Sequence, residues 1–156
     1  MQIINNLRLI KHSVSVAFFS FFTAKKMKLS KKQCWNIFWA GLFHDIGKIM
    51  LDQNILNKKE KLAKDEFEHI KQHVALGVEL LKKYRVKQEI YKIVEQHHEH
   101  EDGTGYPNGL GEKEICIEAK TLRIVDVYDA LTSNRSYRKK YTRQQAKEIM
   151  AKEDLI

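Results

Sequence analysis

The sequence is poor in residues that break or cross-link a chain. Its 156 residues hold one proline, seven glycines and two cysteines. So little proline and glycine excludes a collagenous or loop-dominated chain. Cys34 and Cys116 form no CxxC pair, which excludes a disulfide scaffold and a cysteine-based zinc site. Both stand among apolar residues and are expected to be buried free thiols in a reducing compartment. No uncharged apolar run reaches the length of a membrane span. The nearest is Ser13 to Ala24, which follows Arg8 and Lys11 and resembles the core of a secretion signal. Ser13, Ser15, Ser20 and Thr23 interrupt it, and no A-x-A cleavage site follows. The stretch is read instead as a buried amphipathic helix, and the protein as cytoplasmic, without membrane insertion.

Hydrophobic residues make up 43% and charged residues 31%, enough for one soluble domain over residues 1–156. The net charge of +8 attracts anions, whether nucleic acid, nucleotides or an acidic membrane, without choosing among them. The periodicity is helical throughout. Residues 5–27 form a first helix. Ser30 and Gln33 make a capping box for a second, with Trp35, Phe38, Trp39, Leu42 and Phe43 as its apolar stripe and Gly47 as its end. Residues 50–63 read as a loop with short helical turns. Asp65 and Glu68 cap a helix to about Tyr84, with Ile70, Val74, Gly77, Leu80 and Leu81 inward. Further helices are expected over 87–99 and 114–132, and Thr142 and Gln145 cap a last one. No segment alternates with period two, so the fold is all-α.

Several ionisable residues fall at helix ends or on inward faces. His44 and Asp45 follow an apolar helix; a carboxylate there can bridge two metals while the histidine serves one. The pair also fits a helix C-terminus that simply prefers an imidazole. His73 lies near Ile70 and Val74. His69, one turn earlier, could pair with it for zinc, but the glutamate of an H-E-x-x-H motif is missing. His97 shares a face with Ile90, Ile93 and Val94 and so points at the core. His98 is rotated by about a quarter turn, and Glu99 can anchor one of the two through a hydrogen bond. Asp126 and Asp129 share a face with Ala119 and Leu122. An aspartate in such surroundings needs a cation or hydrogen bonds: Asp126 is a ligand candidate and Asp129 a support. Each feature alone has an ordinary structural reading. A mixed His/Asp set without cysteine suits iron or manganese, and two ions about 3.5–4 Å apart can polarise a phosphoryl oxygen and generate hydroxide.

The segments HDIGK, HVALG, HHEHEDGTGYPNGL and RIVDVYDALTSNRSYR occur in the order found in HD-GYP domains, a branch of the HD superfamily of metal-dependent phosphohydrolases. The chain resembles that family from about His12 to Met150. The resemblance implies an HD-superfamily bundle of about six or seven helices around a di- or trinuclear centre, often of iron or manganese. It implies hydrolysis of cyclic di-GMP to linear pGpG and often to GMP. The same residues would also suit a regulatory module that binds the dinucleotide uncleaved, or a phosphodiesterase for another cyclic dinucleotide.

By motif, one metal is expected to take His12, His44, Asp45 and Asp126. The second takes Asp45 as bridge with His73, His97 and His98. Lys48 joins Asp45 in the catalytic group, beside the scissile phosphate. Arg135 and Arg138 hold the dinucleotide. Asp102 ties the loop, Gly103 and Gly105 supply backbone angles closed to other residues, and Tyr106 with Pro107 forms a lip over the site that can meet substrate or a partner protein. DNA is not an expected ligand. Three departures stand out. Arg8 replaces the glutamate of trinuclear members, which favours two metals. IMLDQ replaces a segment that usually contains proline. Little helix is left after YTRQQAKEIM.

Overall fold

The computed structural model describes residues 2–58, 60–133 and 140–152. Among them are α1 (Gln2–Lys26), α2 (Lys31–Phe43), α3 (Gln53–Leu56), α4 (Lys64–Lys83), α5 (Gln88–Gln96), α6 (Ile117–Thr132) and α7 (Arg143–Lys152), with a 3-10 turn over Ile46–Met50. No strand occurs among the described residues, only an isolated bridge between Asp102 and Gly111. The all-α expectation is met. Arg135 and Arg138 lie outside the described residues.

The hairpin of α1 and α2 is the spine, with α6 against α1, α5 against α2, and α4 carrying both α5 and the 3-10 turn. The Ser30 cap forms as expected: its hydroxyl accepts from Gln33 N at 3.3 Å, and Gln33 Oε1 accepts from Ser30 N at 3.1 Å. The Thr142–Gln145 pair caps α7 in the same reciprocal way. The expected Asp65/Glu68 cap does not form. Ala63 is the N-cap, and Glu66 Oε2 accepts its backbone N–H at 2.8 Å. A carboxylate three residues inside a helix reaches back to the cap amide wherever the chain enters.

The buried face of α2 also differs from expectation. Cys34, Ile37, Ala40 and Gly41 face the core, while Trp35 and Trp39 remain partly exposed. The reason is close approach. A Cβ on Gly41 would lie 2.9 Å from the Ala17 backbone, so α1 and α2 meet through small residues and the rings are turned aside. The first helix is amphipathic in the same unusual sense. Ser13, Val16, Ala17, Ser20 and Ala24 are its buried face, while Phe18, Phe19 and Phe22 point out.

Residue 47 was expected to end α2, but the helix stops at Phe43, four residues earlier. His44 and Asp45 form the corner, and the chain then winds into the 3-10 turn against α4. Gly47 serves that contact: a Cβ there would strike the His73 carbonyl oxygen and lie 2.6 Å from Gly77 N. The contact seats Asp45 beside His73. At the core, Ile90, Ile93 and Val94 of α5 meet Ala119, Leu122 and Val125 of α6, which fixes the ends of both helices relative to the α2 corner.

Candidate metal centre

Five helix ends or faces now converge. His12 comes from α1, His44 and Asp45 from the α2 corner, His73 from α4, His97 and His98 from the end of α5, and Asp126 and Asp129 from α6. Two clusters result, each with its ligand atoms within 4.8 Å of one another: His73, His97 and His98 in one, His12, His44 and Asp126 in the other. Asp45 lies between them. Its Oδ2 is 3.4 Å from His44 Nε2 and its Oδ1 is 3.5 Å from His73 Nε2.

The backbone sets the imidazole tautomers. His44 Nδ1 donates to Gly41 O at 2.8 Å, His73 Nδ1 to Ile70 O at 2.7 Å and His97 Nδ1 to Val94 O at 2.6 Å. A carbonyl can only accept, so each Nδ1 carries a proton and Nε2 is the nitrogen that each ring turns inward. Those three Nε2 atoms and Asp45 Oδ1 are buried without a hydrogen-bond partner among the described residues. Converging acceptors of this kind are costly unless something electropositive completes them. A divalent cation fits the donor set, and cysteine takes no part in it.

The charge balance differs between the two clusters. At His12, burial opposes protonation, but Asp126 and Asp129 hold its pKa up at about 9. Asp126 Oδ1 lies 3.0 Å from its Nε2 and Asp129 Oδ2 2.7 Å from its Nδ1. Burial likewise opposes charge on His44, and Asp45 and Asp126 raise it. In the other cluster burial wins. His97 is pushed down to about 3, with His44 and His73 adding to the effect. Burial and His97 hold His98 well below its ordinary value, and burial and Lys48 lower His73. Burial would raise Asp45, but Lys48 and then His44 hold it well below the usual carboxylate range. Lys48 Nζ sits 2.6 Å from Asp45 Oδ2.

The sequence places Asp129 as a support but does not reveal its partners: besides His12 it accepts from Ser15 Oγ at 2.7 Å and Ser133 Oγ at 3.4 Å. His69 stays outside both clusters and accepts from Asp52 N at 3.2 Å.

The loop after His98 folds over the second cluster. Tyr106 stacks on His98 with centroids 4.7 Å apart and planes at 26°, and the Tyr106–Pro107 peptide is cis. Burial and the charges of Asp45 and Asp126 raise the Tyr106 hydroxyl above its ordinary pKa, so it stays a neutral donor. Lys71, unnoticed in the sequence, lies 5.4 Å over this ring and 5.1 Å over Phe67. Asp102 closes its own turn, accepting from Thr104 N at 2.9 Å and Thr104 Oγ1 at 2.7 Å.

Two expectations about the loop need correction. Gly103 has the positive φ of +78° that favours glycine, and so does Gly109 at +66°, but Gly105 does not. Gly105 is needed for space: a Cβ would lie 2.5 Å from Glu99 Cα and strike His100 N. Glu99, expected to anchor a histidine, instead accepts from Asn108 N at 2.6 Å and Leu110 N at 2.9 Å. The helix ends at Gln96 and the chain turns, which swings Glu99 under the loop, while the backbone already serves His97. Glu99→Ala should therefore cost about 2 kcal/mol, because two amides lose a charged acceptor. Calorimetry reads the loss, and exchange of the Asn108 and Leu110 amides should accelerate with it. Unchanged exchange at both would refute this role.

The HD domain family profile matches residues 1–155. The chain is 38% identical over 141 residues to the cyclic di-GMP phosphodiesterase PA4108 of Pseudomonas aeruginosa, covering 90% of this chain and 34% of that protein. It is 40% identical over 111 residues to the 3'3'-cGAMP-specific phosphodiesterase 2 of Vibrio cholerae, covering 70% of this chain and 21% of that one. The chain thus spans about a third or less of the length of these curated relatives. In fold it is similar to Bd1817, an HDG"Y"P protein from Bdellovibrio bacteriovorus, with a TM-score of 0.76 at 24% identity over 93% of this chain and 47% of that one. A profile match over nearly all its residues, joined to the HHExxDGxGYP loop and to relatives of that kind, means that the chain belongs to the HD domain family, in its HD-GYP branch.

Proposed function

We propose that this domain is a divalent-metal-dependent phosphodiesterase that opens a 3′–5′ bond of a cyclic dinucleotide, cyclic di-GMP foremost, giving linear pGpG. The observation that carries the reading is Asp45, a buried carboxylate lying between two histidine clusters with Lys48 at 2.6 Å. His12, His44, Asp45 and Asp126 would hold one ion; Asp45, His73, His97 and His98 would hold the other. The mixed imidazole and carboxylate donor set, without cysteine, suits iron or manganese. When bound, two such ions would polarise a phosphoryl oxygen and lower the pKa of a water so that hydroxide is available at neutral pH.

The remaining work falls to the chain. The Nδ1–carbonyl bonds fix the rings so that no reorganisation is needed when substrate arrives. Lys48 places an ammonium where the non-bridging oxygens gain charge. Tyr106, kept neutral, can donate to a ribose or phosphate oxygen, and its ring offers a stacking face beside Lys71. Arg135 and Arg138 are proposed to grip the dinucleotide by forked hydrogen bonds. The exposed side of the loop is offered to a protein partner, and the domain is proposed to act in the cytoplasm. No described helix is long and apolar enough to cross a membrane.

The test is metal analysis of protein purified without oxygen, alongside product chromatography with cyclic di-GMP, 3'3'-cGAMP and cyclic di-AMP. About two ions per chain and pGpG from cyclic di-GMP are expected. Preference for 3'3'-cGAMP would move the substrate toward that of the Vibrio relative. Tight binding by metal-loaded protein without product would replace the hydrolase reading with that of a regulatory module. Lys48→Ala should lower kcat by about 10²-fold at unchanged metal content. A fall in metal content to match would make Lys48 a prop for Asp45 instead.

A further inference from the structure

The α1–α2 hairpin carries a surface that the metal centre does not use. No Asp or Glu precedes Asp45, whereas Arg8, Lys11, Lys25, Lys26, Lys28, Lys31 and Lys32 all do. Six of the seven phenylalanines and both tryptophans fall within residues 18–43. The helices meet through small residues, so many of these rings face outward. Phe18, Phe19 and Phe22 are 51%, 54% and 59% exposed, and Trp35 and Trp39 are 45% and 42%.

The rings form one patch. Phe18 meets Phe38 at 5.3 Å, Phe38 meets Trp39 at 5.4 Å, and Phe21 joins Phe22 at 5.7 Å to Trp35 at 5.0 Å. Half exposed, the four outer rings so joined, Phe18, Phe22, Trp35 and Trp39, offer about 400 Å² of apolar area at ~200 Å² per ring, within the range at which a monomer's largest patch is often functional. Exposed Leu7, Ile10 and Val14 extend the patch along α1.

Lysines rim one end of it. Lys25 and Lys26 follow Phe22 by one helical turn, and Lys31 precedes Trp35 by one. Lys28 sits in the connecting turn with φ +62°. Lys32 pairs with Glu89 at 2.6 Å, but no carboxylate pairs with Lys25, Lys26, Lys28 or Lys31 among the described residues.

We propose that this face docks the domain on an anionic lipid bilayer, rings in the headgroup boundary and lysines on the acidic headgroups. The occupant must supply apolar depth and negative charge together. A second copy of the same hairpin supplies no acid and sets lysine against lysine or against Lys11. Nucleic acid supplies charge and stacking bases, but Leu7, Ile10 and Val14 have nothing to stack on. A bilayer surface takes aromatic, aliphatic and cationic groups in this arrangement. The association is peripheral and does not depend on the proposed activity.

Trp35 and Trp39 are the only tryptophans, so selectively excited tryptophan emission reports on this face alone. The 156-residue chain should co-sediment with vesicles containing about a third phosphatidylserine, but not with neutral phosphatidylcholine, and release at high salt. Its emission should shift to the blue on binding. Replacing Lys25, Lys26 and Lys31 with glutamate should weaken binding by about tenfold or more, and Phe18→Ser with Phe22→Ser should reduce the blue shift. All five positions are exposed, and circular dichroism checks the fold; the comparison of lipid compositions needs no variant. Three outcomes would overturn the proposal: no binding and no shift at low salt, a doubled mass with shifted emission in the absence of lipid, or binding to RNA oligonucleotides but not to vesicles.

Discussion

Asp45→Ala should lower turnover by about 10³-fold or more, beyond the usual effect of losing one electrostatic donor, and should reduce bound metal. The size follows from where the carboxylate sits. Its two oxygens face His44 on one side and His73 on the other, at 3.4 and 3.5 Å. Removing it takes one donor from each proposed ion and leaves His44 and His73 without a shared anion. Lys48 also loses its tether and, being partly exposed, can swing to water. Stability separates this from simple misfolding. The parent's melting temperature should rise when Mn²⁺ is added, because the ion binds only the folded chain. In Asp45→Ala that rise should shrink or vanish; the metal-free melting temperature should fall somewhat, because the Lys48–Asp45 pair is lost, but unfolding should stay cooperative. Asp45→Asn keeps the shape and loses the charge, so it should fall between the two. Parent-like turnover by metal-loaded Asp45→Ala would end the bridging scheme.

Residue spacing reveals members of both clusters. His97 is marked by the apolar face it shares with Ile90, Ile93 and Val94, and that face is buried as read. Asp126 and Asp129 are marked by Ala119 and Leu122 in the same way. His12 carries no such mark. It sits on the edge of α1 between a buried and an exposed face, and only motif resemblance points to it; its partners lie more than a hundred residues away. Glu99 shows the opposite error, since proximity in sequence to two histidines does not survive a helix end. The aromatic stripe of α2 misleads because size and burial part company where backbones meet closely. Ala17 and Gly41 occupy the interface, and the larger side chains have no room in it. Periodicity reports which face is apolar; whether it is buried depends on how near the neighbouring helix can come.

The same closeness makes Gly47 the position where the smallest change should do the most damage outside the ligands. A methyl group there meets the His73 carbonyl oxygen and Gly77 N, and both are backbone atoms that no rotamer change can move aside. The 3-10 turn must then lift from α4, carrying Asp45 away from His73. Gly47→Ala should cost about 3 kcal/mol, a fall of about 10 °C in melting temperature for a chain of this size. Because a shift of about 1 Å at a reacting centre can cost 10²-fold, the folded variant should lose about that much turnover even at saturating metal. Gly77→Ala is the control. Its Cβ would meet Gly47 N at 3.3 Å and Ile46 Cγ2 at 3.5 Å, contacts that need only small adjustment. It also gains about 1 kcal/mol of helix propensity inside α4, so its net effect on stability should be near zero. Equal damage from the two substitutions, or none from Gly47→Ala, would mean that the close seating of the turn on α4 is not what brings Asp45 and His73 together.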